Sequence, residues 1–298
     1  MDSFSQLTFV PQTDSVGPDR SMILDDYFER QYNTSFSVAD EGTVLADWQA
    51  RAAQTRRTFP LVPDIAYGPN PREVLDFYRA ANAHGALVFI HGGYWRGLSK
   101  VETSWVVDGF VNDGISVALI NYPLCPEVMI ADICRSIQEA FTYLFLNVLN
   151  DDERRNVVVA GHSAGGYLAA SHLATDWIAL GLPQNPLAGV VAISGIYDLA
   201  PLIQTSMNAD LQITVELAAA LNLLTSPVRS HAPLLLAVGG DETPAFHTQA
   251  TNLAAAWKVL APKTLSLPDS NHFTVVDSLS HPQGEINKIA RRMLSRTF

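Results

Sequence analysis

Ser163 stands between Gly161 and Gly165, at the end of the apolar run Val157-Val-Val-Ala160. Glycines two residues to either side of a serine, between a predicted strand and a helix predicted over 167–174, mark a turn too sharp for side chains at its flanks. Such a turn lifts the hydroxyl above the sheet at the positive end of the next helix, where it can act as a nucleophile. A helix-capping serine in an ordinary glycine-rich turn has the same local pattern. What separates the two readings is whether the partners of a nucleophilic serine are also in the chain.

Those partners are present. His91-Gly-Gly-Tyr-Trp95 follows the apolar run Ala86-Leu-Val-Phe-Ile90, which reads as a buried strand. Its glycines can turn backbone N–H groups toward an oxygen that gains negative charge. Gly92, Gly93 and Ala164, the residue after the serine, are the candidate donors of such an oxyanion hole. A later apolar run, Ala232-Pro-Leu-Leu-Leu-Ala-Val238, ends in Gly239-Gly-Asp-Glu-Thr-Pro244 and offers Asp241 and Glu242. A last predicted strand over 263–267 leads to Asp269-Ser-Asn-His-Phe273 and offers His272. A histidine can take the serine proton and return it to a leaving group, while a carboxylate fixes its tautomer. Spacing does not separate Asp241 from Glu242. The other histidines read as packing or loop residues: His162 beside the turn, His172 on the next helix, and His84, His231, His247 and His281 in loops or at helix starts. None has a ligand-spaced partner, so no metal is expected. G-x-G-x-x-G is absent, so no nucleotide cofactor is expected either.

The elements that must position these residues read as one α/β domain. From residue 86 onward strands and helices alternate, which predicts a mostly parallel sheet with helices on both faces. Strands are expected over 61–67 and 74–79, joined by the turn Gly68-Pro-Asn-Pro71, and then over 115–121, 157–160 and 189–194. A long helix is expected over 128–149. Residues 1–20 read as an N-terminal arm and 21–298 as a single domain. Within it, the helices of 22–59 and the helical insertion of 196–225 are possible cap elements over the site. Ile23, Leu24, Tyr27 and Phe28 share one predicted helix face, and Val44, Leu45, Trp48 and Ala52 another.

At 298 residues, 48% hydrophobic and 16% charged, the chain can bury a large core. Thirty acidic against nineteen basic residues give a net charge of −11, which argues against nucleic acid and anionic membranes as partners. The expected partner is a small-molecule substrate, and a homo-oligomer is compatible with the sequence. Cys125 and Cys134 form no C-x-x-C and read as free thiols. The opening Met1-Asp-Ser-Phe-Ser-Gln6 has no basic and apolar leader pattern, and no apolar run is long enough to span a bilayer. A cytoplasmic protein is the expectation.

With these motifs in hand, a family can be named. His91-Gly-Gly-Tyr-Trp95 together with Gly161-His-Ser-Ala-Gly-Gly166 resembles the arylformamidase (kynurenine formamidase) branch of the α/β-hydrolases. The resemblance extends to Tyr67-Gly68 with Leu75-Asp-Phe-Tyr78, to Asn121-Tyr-Pro-Leu124, to Glu242-Thr-Pro-Ala-Phe-His247, to Asn271-His-Phe273, and to the lead-in Tyr27-Phe-Glu-Arg-Gln-Tyr-Asn33. It spans residues 27–294. It implies an α/β-hydrolase fold and a cofactor-free serine hydrolase acting on small acyl amides or esters, N-formylkynurenine-like formamides foremost and carboxylesters or carbamates otherwise. It further implies Ser163 as nucleophile, His272 as base and Gly92, Gly93 and Ala164 as the oxyanion hole. Tyr94, Trp95 and Phe273 would wall the pocket. The resemblance favours Glu242 over Asp241 as the acid, because Glu242 directly precedes Thr243-Pro244.

Overall fold

A computed structural model describes residues 26–38 and 40–296. The arm expected over 1–20, and Ile23 and Leu24 of the first predicted helix, lie outside them. Among the described residues one sheet of eight strands is formed. In spatial order these are β1 (Val62–Ala66), β2 (Val74–Tyr78), β4 (Ile115–Ile120), β3 (Gly85–Ile90), β5 (Val157–His162), β6 (Gly189–Ile193), β7 (Leu234–Gly239) and β8 (Lys263–Leu267). β2 runs antiparallel to both of its neighbours, and β4 through β8 are parallel, as the alternation of elements requires. β3, β4, β5, β6 and β7 are buried along their whole length. Buried on both faces, they read as unbroken apolar runs. Leu87, Phe89 and Val158 feed the core on one face of the sheet, and Val88, Ile90 and Val159 the core on the other.

α1 (Asp26–Tyr32) and α2 (Glu41–Thr58) precede the sheet. α2 is polar along most of its length and buries only Trp48, Ala52 and Thr55. Ion pairs add to the hold of these few apolar anchors. Arg56 pairs with the fully buried Asp76 of β2, which also holds Lys100 Nζ at 2.7 Å. Arg51 pairs with Asp277 at 2.7 Å and lies over the ring of Trp105. Removing either partner of the Asp76 cluster would leave a buried charge uncompensated.

The helix predicted over 128–149 is shorter. α3 covers Ile130–Tyr143 and gives way to a wide π-type turn, Leu144–Val148. That turn keeps Leu144 and Phe145 in the core. Its carbonyls find an external donor in Arg154, the last residue of α4 (Asp151–Arg154), whose guanidinium bonds the oxygens of Phe145 and Leu146 at 2.6 and 2.9 Å. α5 (Ala164–Ser171) begins three residues earlier than predicted, directly after Ser163. Gly165 and Gly166 enter the helix despite their low propensity because the helix lies hard against the sheet. A Cβ on Gly165 would sit 2.0 Å from the Ile90 oxygen, and one on Gly161 2.0 Å from the Gly165 oxygen. The insertion carries α6 (Asn208–Leu211) and α7 (Val215–Ala220), and α8 (Pro244–Ala256) links β7 to β8. No helix among the described residues is long and apolar enough to cross a membrane.

Candidate active site

Every residue singled out for chemistry sits just past the carboxyl end of a parallel strand, where open α/β sheets place their ligands. The loop after β3 carries Gly92 and Gly93, the turn after β5 Ser163, the loop after β7 Glu242, and the loop after β8 His272.

Ser163 has φ 55° and ψ −119°, a conformation that a residue with a side chain adopts only when its surroundings force it. Its N–H donates to the Ile193 oxygen at 2.8 Å, which ties the turn to β6. The side chain is nearly buried, and the N–H of Ala164, the first residue of α5, has no acceptor among the described residues.

His272 Nδ1 lies 2.7 Å from Glu242 Oε2. Because a carboxylate accepts, Nδ1 carries the proton and Nε2 keeps its lone pair. The other oxygen of Glu242 accepts from the Gly239 N–H at 2.7 Å and from the Ser194 hydroxyl. Burial pushes the Glu242 carboxyl up. Electrostatic attraction to the His272 ring and the hydrogen bonds from His272, Ser194 and Gly239 outweigh it, so the group is held below its ordinary range. Asn271 shapes the histidine loop by accepting from the Phe273 and Thr274 N–H groups at 2.9 and 3.0 Å. His162 bonds the His272 backbone oxygen at 2.7 Å through Nε2. Burial drives the His162 ring down to about 3, so it is neutral, and Nε2 is its donor.

The glycine loop after β3 is held from behind. In a trans peptide the C=O and the following N–H point in opposite directions. The Tyr122 hydroxyl donates to the His91 oxygen at 2.9 Å, and His91 Nδ1–H donates to the Gly92 oxygen at 2.8 Å. The His91 ring stacks on Tyr122 with centroids 4.2 Å apart, and burial keeps it neutral, down to about 3. Both carbonyls being held on the Tyr122 side, the N–H groups of Gly92 and Gly93 point the other way, and neither has an acceptor among the described residues. Gly92 lies against Ser163, since a Cβ there would come within 3.1 Å of the Ser163 Cβ. The loop then runs through three successive positive φ angles, at Gly93, Tyr94 and Trp95.

A cavity of about 110 Å³ is lined by Ser163, His272, Gly93, Tyr94, Phe273, His162 and Leu98, and by Thr34, Glu41, Leu45 and Trp48 from the N-terminal segment. Four of the lining residues thus come from the segment 34–48 that precedes the sheet. The insertion of 196–225 contributes no lining residue. It braces the lead-in instead: the Ser206 N–H and hydroxyl both donate to Glu29 of α1 at 2.7 Å.

Two expected site residues need correction. Asp241 is exposed, and its N–H is engaged by the Ser270 oxygen, so Glu242 alone reaches His272. Trp95 does not line the cavity. It is fully buried, edge-on to Tyr167, because the positive φ angles turn it under the loop while Tyr94 stays at the cavity. Sequence reasoning missed Ser194, whose only signal is a small hydroxyl at the end of the strand beside β5. Trp48 carries no signal beyond its place on a helix face, and its position on the cavity wall is visible only in the fold. Cys125 and Cys134 are free thiols. No cluster of metal-ligating side chains occurs among the described residues.

No hydrogen bond joins Ser163 to His272 among the described residues, though both line the cavity. A hydroxyl, an imidazole paired to a carboxylate and three unpaired N–H groups at one end of a sheet can carry out nucleophilic acyl transfer. A family model described as the α/β-hydrolase fold matches residues 87–263, and the chain belongs to that family. Over nearly its whole length it is arylformamidase-like. It is 27% identical to the kynurenine formamidase of Salmo salar, with 91% of this chain and 97% of that one aligned. With the kynurenine formamidase of Danio rerio it shares 26% identity, over 91% and 97%. Among solved structures, a candidate thioesterase from Silicibacter sp. tm1040 superposes with a TM-score of 0.81 at 30% identity, over 89% of this chain and 98% of that one.

Proposed function

We propose that this hydrolase is a cofactor-independent serine enzyme that cleaves small acyl amides or esters through an acyl-enzyme, and that its preferred substrates are aryl formamides of the N-formylkynurenine kind. The observation that carries the reading is the Glu242–His272 pair, whose imidazole lines the same small cavity as Ser163.

In this mechanism Ser163 Oγ attacks the formyl carbon while His272 Nε2 takes its proton. The Oγ–Nε2 bond closes when substrate is bound, as catalytic bonds that are loose in an empty site commonly do. The oxyanion receives the N–H groups of Gly92, Gly93 and Ala164. Each such donor is worth about 2.7–4 kcal/mol in the transition state. His272 then gives the proton to the departing aryl amine, and Glu242 stabilises the imidazolium in between. Water, deprotonated by His272, attacks the formyl ester of Ser163 and releases formate. An apolar cavity of about 150 Å³ holds a benzene ring, so one of about 110 Å³ suits a formyl group and part of a ring better than a long acyl chain. The kynurenine formamidases in the comparison favour the formamide. The thioesterase assignment of the Silicibacter relative favours a second reading, in which a thioester or carboxylester is the substrate of the same machinery.

The test compares kcat/KM for N-formylkynurenine and for a short-chain aryl ester, with Ser163→Ala as the blank. A preferred formamide, at about 10⁴ M⁻¹s⁻¹ or more, is expected. Turnover of the ester alone would leave the triad standing and reject the formamide.

A further inference from the structure

The cavity is one-signed. Its lining contains one carboxylate, Glu41, and no lysine or arginine. His162 is held neutral by burial, and the charge behind His272 is the carboxylate of Glu242. Glu41 is half-buried at the start of α2, directly after the short loop that also brings Thr34 to the wall. Its one hydrogen bond is from the Ser35 hydroxyl to Oε2 at 2.9 Å, and it forms no ion pair among the described residues. An acid in a first helical turn is ordinary, since it favours the helix dipole. That accounts for a carboxylate near the start of α2 but not for its place on the wall of the cavity that holds Ser163. A half-buried, unneutralised carboxylate in a narrow cleft attracts cations and repels anions, more strongly than one on open surface.

From this we infer that Glu41 sets the charge specificity of the site by pairing with a cationic group, foremost an ammonium, on the leaving-group part of the substrate. The inference rests on the Ser163 reading of the cavity but not on the formamide. Substrates whose leaving group carries an ammonium are preferred, neutral ones are accepted, and ones with only a carboxylate are disfavoured. For an amino-acid-bearing aryl formamide, the ammonium faces Glu41 and the carboxylate stays toward solvent.

Three aryl acetates of one shape test it: 4-(aminomethyl)phenyl, 4-methylphenyl and 4-(carboxymethyl)phenyl acetate. The wild-type protein should prefer the ammonium ester over the neutral one by about five- to tenfold, mainly through KM. Raising the salt concentration should shrink that preference. Glu41→Gln should bring the ammonium and neutral esters to the same kcat/KM, and Glu41→Asp should retain part of the preference. Equal rates for all three esters in the wild type would overturn the inference. So would an equal drop for all three in Glu41→Gln, which would make Glu41 a structural residue only. Ser163→Ala separates this from the catalytic reading: if Ser163 is essential yet charge is not discriminated, the Glu41 assignment alone fails.

Discussion

Glu242 divides its two carboxyl oxygens between tasks, Oε2 holding the His272 ring and Oε1 taking the Gly239 N–H and the Ser194 hydroxyl. An amide at this position has a donor NH2 in place of one oxygen, so it cannot accept on both sides and would favour the wrong imidazole tautomer. Glu242→Gln is expected to lower kcat by about 10⁴, as the equivalent change does in other triads, whereas Asp241→Asn should stay within about twofold. Equal losses in the two variants, measured on one good acyl substrate, would reject the assignment. Residue types were legible because the chemistry restricts them: a serine between glycines, a histidine past the last strand, an acid past the strand before. What spacing left open was which of two adjacent acids turns inward. That is decided by the Gly239–Gly240 turn, where the N–H groups of Gly240 and Asp241 bond the Leu267 and Ser270 oxygens. Which indole reaches the cavity is hidden from the sequence for a similar reason. Trp95 adjoins the glycines in sequence, but backbone dihedrals bury it, and Trp48 arrives from a distant helix.

The loop after β3 and the helix α2 are the elements that turn a general fold into a particular site. Tyr122 holds the glycine loop after β3 from behind, so, if its N–H groups receive the oxyanion as proposed, Tyr122→Phe should lower kcat by about tenfold with little change in KM, and should cost about 1 kcal/mol of stability for the lost hydrogen bond. A fall in KM affinity with kcat intact would instead mean that Tyr122 shapes the pocket and not the donors. Trp48 closes the cavity against Trp105, His162 and Phe273. Trp48→Ala is expected to cost about 3–5 kcal/mol in chemical denaturation and to admit longer acyl chains. An unchanged chain-length profile would show that the roof lies elsewhere. Strands were the most legible elements, since central parallel strands read as continuous apolar runs. Helix ends were less so. Early onset of α5 depends on packing against Ile90, and the end of α3 on a guanidinium from another helix, neither of which is local in sequence.

Across the whole molecule the buried histidines set the response to acid. Burial holds His91 and His162 to about 3 and His172 to about 4, against an ordinary 6.5. Below pH 6.5 the unfolded chain takes up protons that the folded chain refuses, so stability falls as pH falls and is complete only above that value. Each histidine contributes about 2 kcal/mol of this loss between pH 6.5 and 5. Glu242, also held low, adds a loss of the same sign at lower pH. The midpoint of thermal unfolding should drop steeply over this range, and His172→Gln, remote from the site, should flatten the slope by about a third. A midpoint that does not move would mean the histidines are not held neutral. The central claim, that Ser163 is the nucleophile of an acyl-enzyme, is tested most directly by covalent trapping. The protein is treated with an aryl phosphonate ester, and the adduct is located by peptide mass spectrometry. The expected result is one phosphonyl group on Ser163, formed in step with loss of activity. Full modification of another residue, or complete inactivation with Ser163 unmodified, would contradict it.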